Sequence, residues 1–224
     1  MSNPISEIHL SESISMIYEV RAYTFPSGFA SEGVEDFGRI IEKRTAISPC
    51  IGFFISAIGG LNRILHIWEY ENSAHREAAR AEALAQPWWP PLQVDKILYQ
   101  QTRIMRAAPF CPKPKTGEMG GVYEIRSDVI VTGKMRAISA AWEKNLPERE
   151  RLSPLAAAFA NPAGEFESGI LNEFLHIWPY RDLNHWAEVQ RGVENLPNWE
   201  SGYKSYLRSE TSEIWYPVDY SPMK

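Results

Sequence analysis

Tyr18-Glu19-Val20-Arg21 recurs as Tyr123-Glu124-Ile125-Arg126, and the reading of this pair decides the fold. The same displacement of 105 positions carries Gly28 onto Gly133, Phe37 onto Trp142 and Ser48-Pro49 onto Ser153-Pro154. The register then moves to 110 positions: Leu61-Asn62 matches Leu171-Asn172, Leu65-His66-Ile67-Trp68 matches Leu175-His176-Ile177-Trp178, and Tyr70, His75 and Pro87 match Tyr180, His185 and Pro197. A repeat of this length marks one structural unit written twice. The five residues added in copy two fall between Pro154 and Leu171, where Asn161-Pro162-Ala163-Gly164 supplies turn formers, so they read as a longer hairpin loop.

Both copies run through the same order of periods. Met16 to Phe25 alternates as a strand, and Ser31 to Arg44 places Val34, Phe37, Ile40 and Ile41 on one helical face. Cys50 to Ile55 and Arg63 to Tyr70 read as strands joined at Ala57-Ile58-Gly59-Gly60. Asn72 or Ser73 caps a second helix to about Ala85, with Arg76, Arg80 and Glu82 on its wet side. Pro87, Pro90 and Pro91 end that helix, a short helical segment reaches Tyr99, and Gln101 to Met105 closes the unit as a strand. The order β-α-β-β-α-β is the ferredoxin-like plan. The chain divides into a polar arm (1–15), a first unit (16–108), a Pro-rich linker (109–120) and a second unit (121–220). Strand three is apolar on both sides, which calls for burial on both faces. The expected architecture is therefore α+β: two tandem ferredoxin-like units whose sheets face each other in one α+β barrel, helices outside. Leu65, Ile67, Leu175 and Ile177 are expected to face the helices.

Composition narrows the function classes. Of 224 residues, 44% are hydrophobic and 12% aromatic, which excludes disorder. A formal charge of -5 without a basic cluster argues against a nucleic-acid surface. Cys50 to Leu61, the most apolar stretch, is too short and Gly-rich for a membrane span, and Met1 to Ser15 lacks the pattern of a secretory signal, so the expected location is the cytoplasm. Cys50 and Cys111 have neither metal-ligand nor CxxC spacing, no metal site is expected, and Gly-rich phosphate loops, GxSxG and Walker motifs are absent.

Several runs together resemble the NIPSNAP family: Tyr18-Glu19-Val20-Arg21-Ala22-Tyr23-Thr24, Gly59-Gly60-Leu61-Asn62, His66-Ile67-Trp68-Glu69-Tyr70, Ala74-His75-Arg76 and Ala107-Ala108-Pro109-Phe110. The likeness covers nearly all of copy one and copy two more loosely. Copy two lacks the Gly-Gly hairpin and reads Asn184-His185-Trp186 where copy one has Ala74-His75-Arg76. The resemblance implies a dimeric α+β barrel without a settled biochemical activity. The wider barrel group it is similar to includes cofactor-independent monooxygenases, small-ring isomerases and haem proteins, so fold alone does not choose a chemistry.

Alternation along strand one puts Tyr18, Val20 and Ala22 on one face and Glu19, Arg21 and Tyr23 on the other. With the apolar face toward the helices, Glu19 and Arg21 point between the sheets, beside His66, Trp68 and Tyr70. Copy two adds Glu124, Arg126, His176, Trp178 and Tyr180, and strand four adds Arg103 and Glu213. Such a lining suits a small polar or aromatic ligand, with His66, Glu19 and Arg21 as catalytic candidates. Against it stands a buried ion-pair network that only fixes the sheets in register. Four of the five histidines occupy equivalent positions; His75 and His185 fit helix-capping roles, while His66 and His176 suit either a base or a structural hydrogen bonder. Trp88-Trp89, with Trp199 as counterpart, reads as core packing or an aromatic patch for a partner protein. The leading expectation is a small molecule bound between the sheets with no resident cofactor, haem standing as an alternative. Monooxygenase-like or isomerase-like catalysis and a protein-interaction scaffold are the other readings, and association of whole chains into a homo-oligomer is compatible with all of them.

Overall fold

The computed structural model describes residues 16–161, 169–199 and 202–224, with positions 92 and 93 described by their backbone. Copy one comprises β1 (Ile17–Thr24), α1 (Ala30–Gly38), α2 (Ile41–Thr45), β2 (Cys50–Ile58), β3 (Arg63–Tyr70), α3 (Ser73–Leu84) and β4 (Tyr99–Ala107). Copy two comprises β5 (Val122–Ile130), α4 (Met135–Arg149), β6 (Ala157–Ala160), β7 (Glu173–Tyr180), α5 (Leu183–Glu194) and β8 (Leu207–Pro217). Each unit has the strand order of a ferredoxin-like sheet, β4-β1-β3-β2 and β8-β5-β7-β6. The two join edge to edge through β2–β8 and β4–β6 into one closed antiparallel barrel. The β4–β6 seam is short, Arg106 facing Ala160 and Ala107 facing Phe159.

The repeated loop residues have a backbone reason. Gly28 and Gly133 follow the first strand of each copy at φ +86° and +82°, a region Cβ-bearing residues avoid. Asn62 and Asn172 sit at φ 55° and 58° where β3 and β7 begin, the left-handed region that Asn tolerates best after Gly. The expected longer hairpin of copy two lies largely outside the described residues, at 162–168.

One expected helix is divided. The 31–44 segment breaks at Arg39 and Ile40 into α1 and α2. Tyr220 of the C-terminal tail lies against Gly38 and donates its hydroxyl to the Val34 carbonyl at 2.7 Å. The equivalent α4 runs unbroken to Arg149, with Pro147 inside it. The linker is packed rather than free: Phe110 stacks on Trp142 at 5.5 Å, and Lys115 donates its backbone N–H to the Ala156 carbonyl.

The two faces of the strands are the reverse of the expectation. Tyr18, Val20, Leu65, Ile67, Phe54, Tyr123, Ile125, Phe159, Leu175, Ile177 and Trp215 meet in one cluster inside the barrel, joined by Met223 of the tail. Leu65, Ile67, Leu175 and Ile177 therefore face the barrel axis, and the helices cover the opposite parity. A sheet under helices in an isolated unit would turn its most apolar face to them. In a closed barrel the axis is drier, and it takes that face.

Leu65 is 2% exposed and packed in this interior. Truncating Leu65 to Ala should cost about 2–5 kcal/mol by loss of packing and the residual cavity. A denaturant melt of Leu65→Ala superimposing on the parent's would contradict the interior assignment.

Candidate ligand-binding site

Because Leu65 and Ile67 point inward, Glu19, Arg21, His66, Trp68 and Tyr70 come together on the outer face of the sheet, under the helices. The register makes them neighbours: Glu19 lies opposite Trp68 and Arg21 opposite His66. Glu124, Arg126, His176, Trp178 and Tyr180 occupy the same layer of copy two. None of these ten side chains lies between the sheets as expected. Arg103 and Glu213 do face the barrel interior, at one mouth, and form ion pairs with Glu173 and Arg63.

Glu19 is the centre of the copy-one layer, 1% exposed. Its Oε1 accepts from Arg21 Nη1 at 2.9 Å, Arg76 Nη2 at 2.6 Å and Thr102 Oγ1 at 3.0 Å, with Arg80 Nη1 at 3.7 Å. Its Oε2 accepts from the Tyr70 hydroxyl at 3.3 Å. Burial alone would raise its pKa, but the Arg76 hydrogen bond and the charges of Arg21, Arg76 and Arg80 outweigh that and lower it to about 2. Arg76 and Arg80 thus correct the reading that put them on the wet side of α3: one turn apart, they extend their stems over the layer and bring their guanidinium groups to Glu19. Arg44, not singled out from sequence, lies over the Trp68 ring at 4.2 Å and donates to Tyr70 Oη and Ser48 Oγ. Arg149 repeats this over Trp178 at 4.0 Å. Its match to Arg44 at the 105-position shift was the available signal.

His66 is clamped by aromatic rings, stacked on Phe53 at 5.0 Å with Tyr23 and Phe37 at 5.0 and 5.3 Å. Trp68 Nε1 donates to its Nδ1 at 2.5 Å, which assigns the ring proton to Nε2. Burial holds its pKa well below the ordinary value, so the ring is neutral. His176 accepts likewise from Trp178, at 2.7 Å, and its Nε2 lies 3.2 Å from Asp128 Oδ2. Copy one has Tyr23 at the position of Asp128, and Tyr23 Oη accepts from Arg21 Nε instead, leaving His66 Nε2 without a hydrogen bond. His75 and His185 do cap helices: each donates its backbone N–H to Asn72 or Asp182 and accepts from the backbone N–H four residues earlier. The copy-two cap is Asp182.

Beside Arg21 a cavity of about 150 Å³ opens between β1, α1 and the Trp89–Ile97 segment. Its apolar wall is Phe25, Phe37, Trp89, Val94 and Ile97, and its polar side is Arg21, Tyr23 and Arg80. Trp89 is half-buried and faces this space. In copy two the cavity beside the equivalent residues Arg126, Gln190 and Trp199 is about 30 Å³. Trp142 replaces Phe37 there and packs against Trp199 at 4.8 Å and Tyr203 at 5.9 Å. Charge changes in step: Trp186 and Gln190 stand at the positions of Arg76 and Arg80, and Glu124 accepts from Gln190, Tyr180 and Ser212. Among the described residues no group of three or more His, Cys, Asp or Glu could hold a metal ion, and no helix is long and apolar enough to cross a membrane.

A duplicated ferredoxin-like α+β barrel, with one outer-face cavity open and its twin filled, is the class these features define. The sequence pattern of the NIPSNAP family matches residues 18–112 and again 123–222, and the chain belongs to that family. It is 28% identical over 223 residues to mouse (Mus musculus) Protein NipSnap homolog 3B, covering 95% of this chain and 88% of that protein. It is 34% identical over 189 residues to the Dictyostelium discoideum Protein NipSnap homolog, covering 82% and 78%. A crystal structure of a putative monooxygenase from Fusobacterium nucleatum shares the fold, with a TM-score of 0.66, 7% identity and coverage of 94% of this chain and 98% of that one.

Glu19 has a folded-state pKa lowered from 4.5 to about 2. Its contribution, about 3 kcal/mol at 1.36 kcal/mol per unit, is present above pH 4.5 and lost as pH falls toward 2. Glu19→Gln should flatten that part of the stability-against-pH curve. An unaltered acid limb in the variant would show that another carboxylate carries it.

Proposed function

We propose that the protein binds a small apolar molecule carrying one anionic group in the outer-face cavity of copy one. The observation that carries this reading is the coincidence of an open apolar cavity with three arginines around a single carboxylate, where copy two has neither. Arg21, Arg76 and Arg80 leave excess positive charge that Glu19 does not neutralise. An anion held by Arg80 and Arg21 would satisfy it with charge-assisted hydrogen bonds, while Trp89 and Phe37 take the apolar body. A cavity of about 150 Å³ accommodates a single six-membered ring. Ring carboxylates and phenolates are therefore the ligand class. The same geometry speaks against haem, since His66 is walled by Tyr23, Phe37 and Phe53 and the adjoining space is smaller than a macrocycle.

A second reading, catalysis of the monooxygenase-like or isomerase-like kind, rests on the unpartnered His66 Nε2. Its Nε2–H stands behind Tyr23 and Phe37 and off the cavity lining, so it polarises a ligand carbonyl only where one of those rings turns aside. Loss of turnover in His66→Gln with ligand affinity retained would support this reading; binding of every ring carboxylate tried without consumption would sink it.

For binding itself, benzoate titrated calorimetrically is the probe. Arg80→Gln, which installs the copy-two residue, should weaken binding about 10-fold or more, because a charge-assisted hydrogen bond contributes about 1.5–3 kcal/mol. Phe37→Trp should abolish it by filling the cavity. Equal affinity for benzoate in the parent, Arg80→Gln and Phe37→Trp would remove the reading.

A further inference from the structure

Two ion pairs cross from one copy to the other at a single mouth of the barrel. Arg63, at the start of β3, pairs with Glu213 of β8, and Arg103 of β4 pairs with Glu173, at the start of β7, at 2.6 Å. The pairs are tied into their surroundings: Glu173 also accepts from Ser127 Oγ, Glu213 accepts from the Gly60 N–H at 3.3 Å, and the Arg63 guanidinium lies 5.0 Å from the Trp215 ring centre. Glu173 is 1% exposed and Arg103 11% in their side chains; Arg63 and Glu213 are 22% and 28% exposed.

The four positions are two equivalent pairs. Arg63 matches Glu173 by the 110-position shift that aligns Leu65 with Leu175. Arg103 matches Glu213 by register: Arg103 lies opposite Val20 on β1, and Glu213 lies opposite Ile125, the equivalent of Val20, on β5. The pseudo-twofold axis therefore exchanges the two ion pairs and inverts their charges. Copy one supplies both arginines and copy two both glutamates.

Symmetry then dictates what other pairings would do. A barrel of two copy-one units, one from each of two chains, would set Arg63 against Arg103 twice; one of two copy-two units would set Glu173 against Glu213 twice. In a partly desolvated mouth, like charges at these positions are repulsive and leave each group without its partner. We propose that this quartet is a pairing code, which selects copy two as the partner surface of copy one and rejects barrels built from two identical units.

The full-length chain tests this by carrying each charge arrangement within one molecule. Glu173→Arg with Glu213→Arg reproduces the all-basic mouth of a copy-one pair, and Arg63→Glu with Arg103→Glu the all-acidic mouth of a copy-two pair. Each double variant should melt at least about 4 °C lower than the parent, and the loss should shrink as salt is raised. The chain with all four substitutions restores both pairs with polarity inverted, and it should recover at least half of the loss. A double variant that does not fold counts as a loss, and the inverted chain then decides. Either double variant melting less than about 4 °C below the parent, or an inverted chain recovering less than half, overturns the proposal.

Discussion

Closure of the sheet into a barrel is the constraint on which the remaining arrangement depends. Once β2 meets β8 and β4 meets β6, the parity carrying Tyr18, Val20, Leu65, Ile67, Ile125 and Ile177 lines the barrel axis, which opens at one mouth in a cavity of about 240 Å³. A lone carboxylate there would be costly to desolvate. The opposite parity, with Glu19, Arg21 and His66, must therefore lie under the helices. Helices cover that face incompletely, and long side chains from α3 can reach Glu19 while their stems stay at the rim. Charged groups enter the interior at the mouth lined by Arg63, Arg103, Glu173 and Glu213, where each finds a partner of opposite sign.

Much of this was legible in the sequence, and the errors have one origin. The two shifts located the units, and alternation grouped Glu19 and Arg21 with His66, Trp68 and Tyr70, which do share a layer. Alternation gives parity, however, and not which side is which. Strand β1 is buried on both faces, with Ile17 and Tyr23 as apolar on one side as Tyr18 and Val20 on the other. Composition could not break that tie; barrel closure did. Arg76 and Arg80 were assigned to the wet side for a related reason. Helical periodicity counts a charged residue as solvated, whereas an arginine can lie at the edge of a buried layer and still deliver its head group to a buried carboxylate. The cavity itself was illegible, because it depends on the difference in volume between Phe37 and Trp142 and on where the chain carries Trp89 after α3.

The two copies share a skeleton and differ in its surroundings. In both, a buried Glu accepts from a Tyr hydroxyl, an Arg lies over a Trp and donates to that Tyr, and the same Trp donates to a His. These groups tie the middle strand to the helices with few unsatisfied polar atoms. What differs is Phe37 against Trp142, Tyr23 against Asp128, Arg76 against Trp186 and Arg80 against Gln190. Each change acts on volume or charge beside the cavity and leaves the skeleton's hydrogen bonds in place.

This division bears on which residues carry specificity. Repetition first drew attention to His66 with His176 and to Glu19 with Glu124, and repetition is also what tells against them as specificity determinants. Copy two keeps the whole skeleton although its cavity has closed to about 30 Å³. Groups retained where nothing of ring size can enter are accounted for by holding the layer together. On the proposed reading, chemistry particular to a ligand rests with positions that differ between the copies: Phe37 for volume, and Arg76 and Arg80 for charge. His66 differs through its unlike neighbour alone, because Tyr23 stands where Asp128 lies beside His176, so that His66 Nε2 has no hydrogen-bond partner while His176 Nε2 has a carboxylate at 3.2 Å.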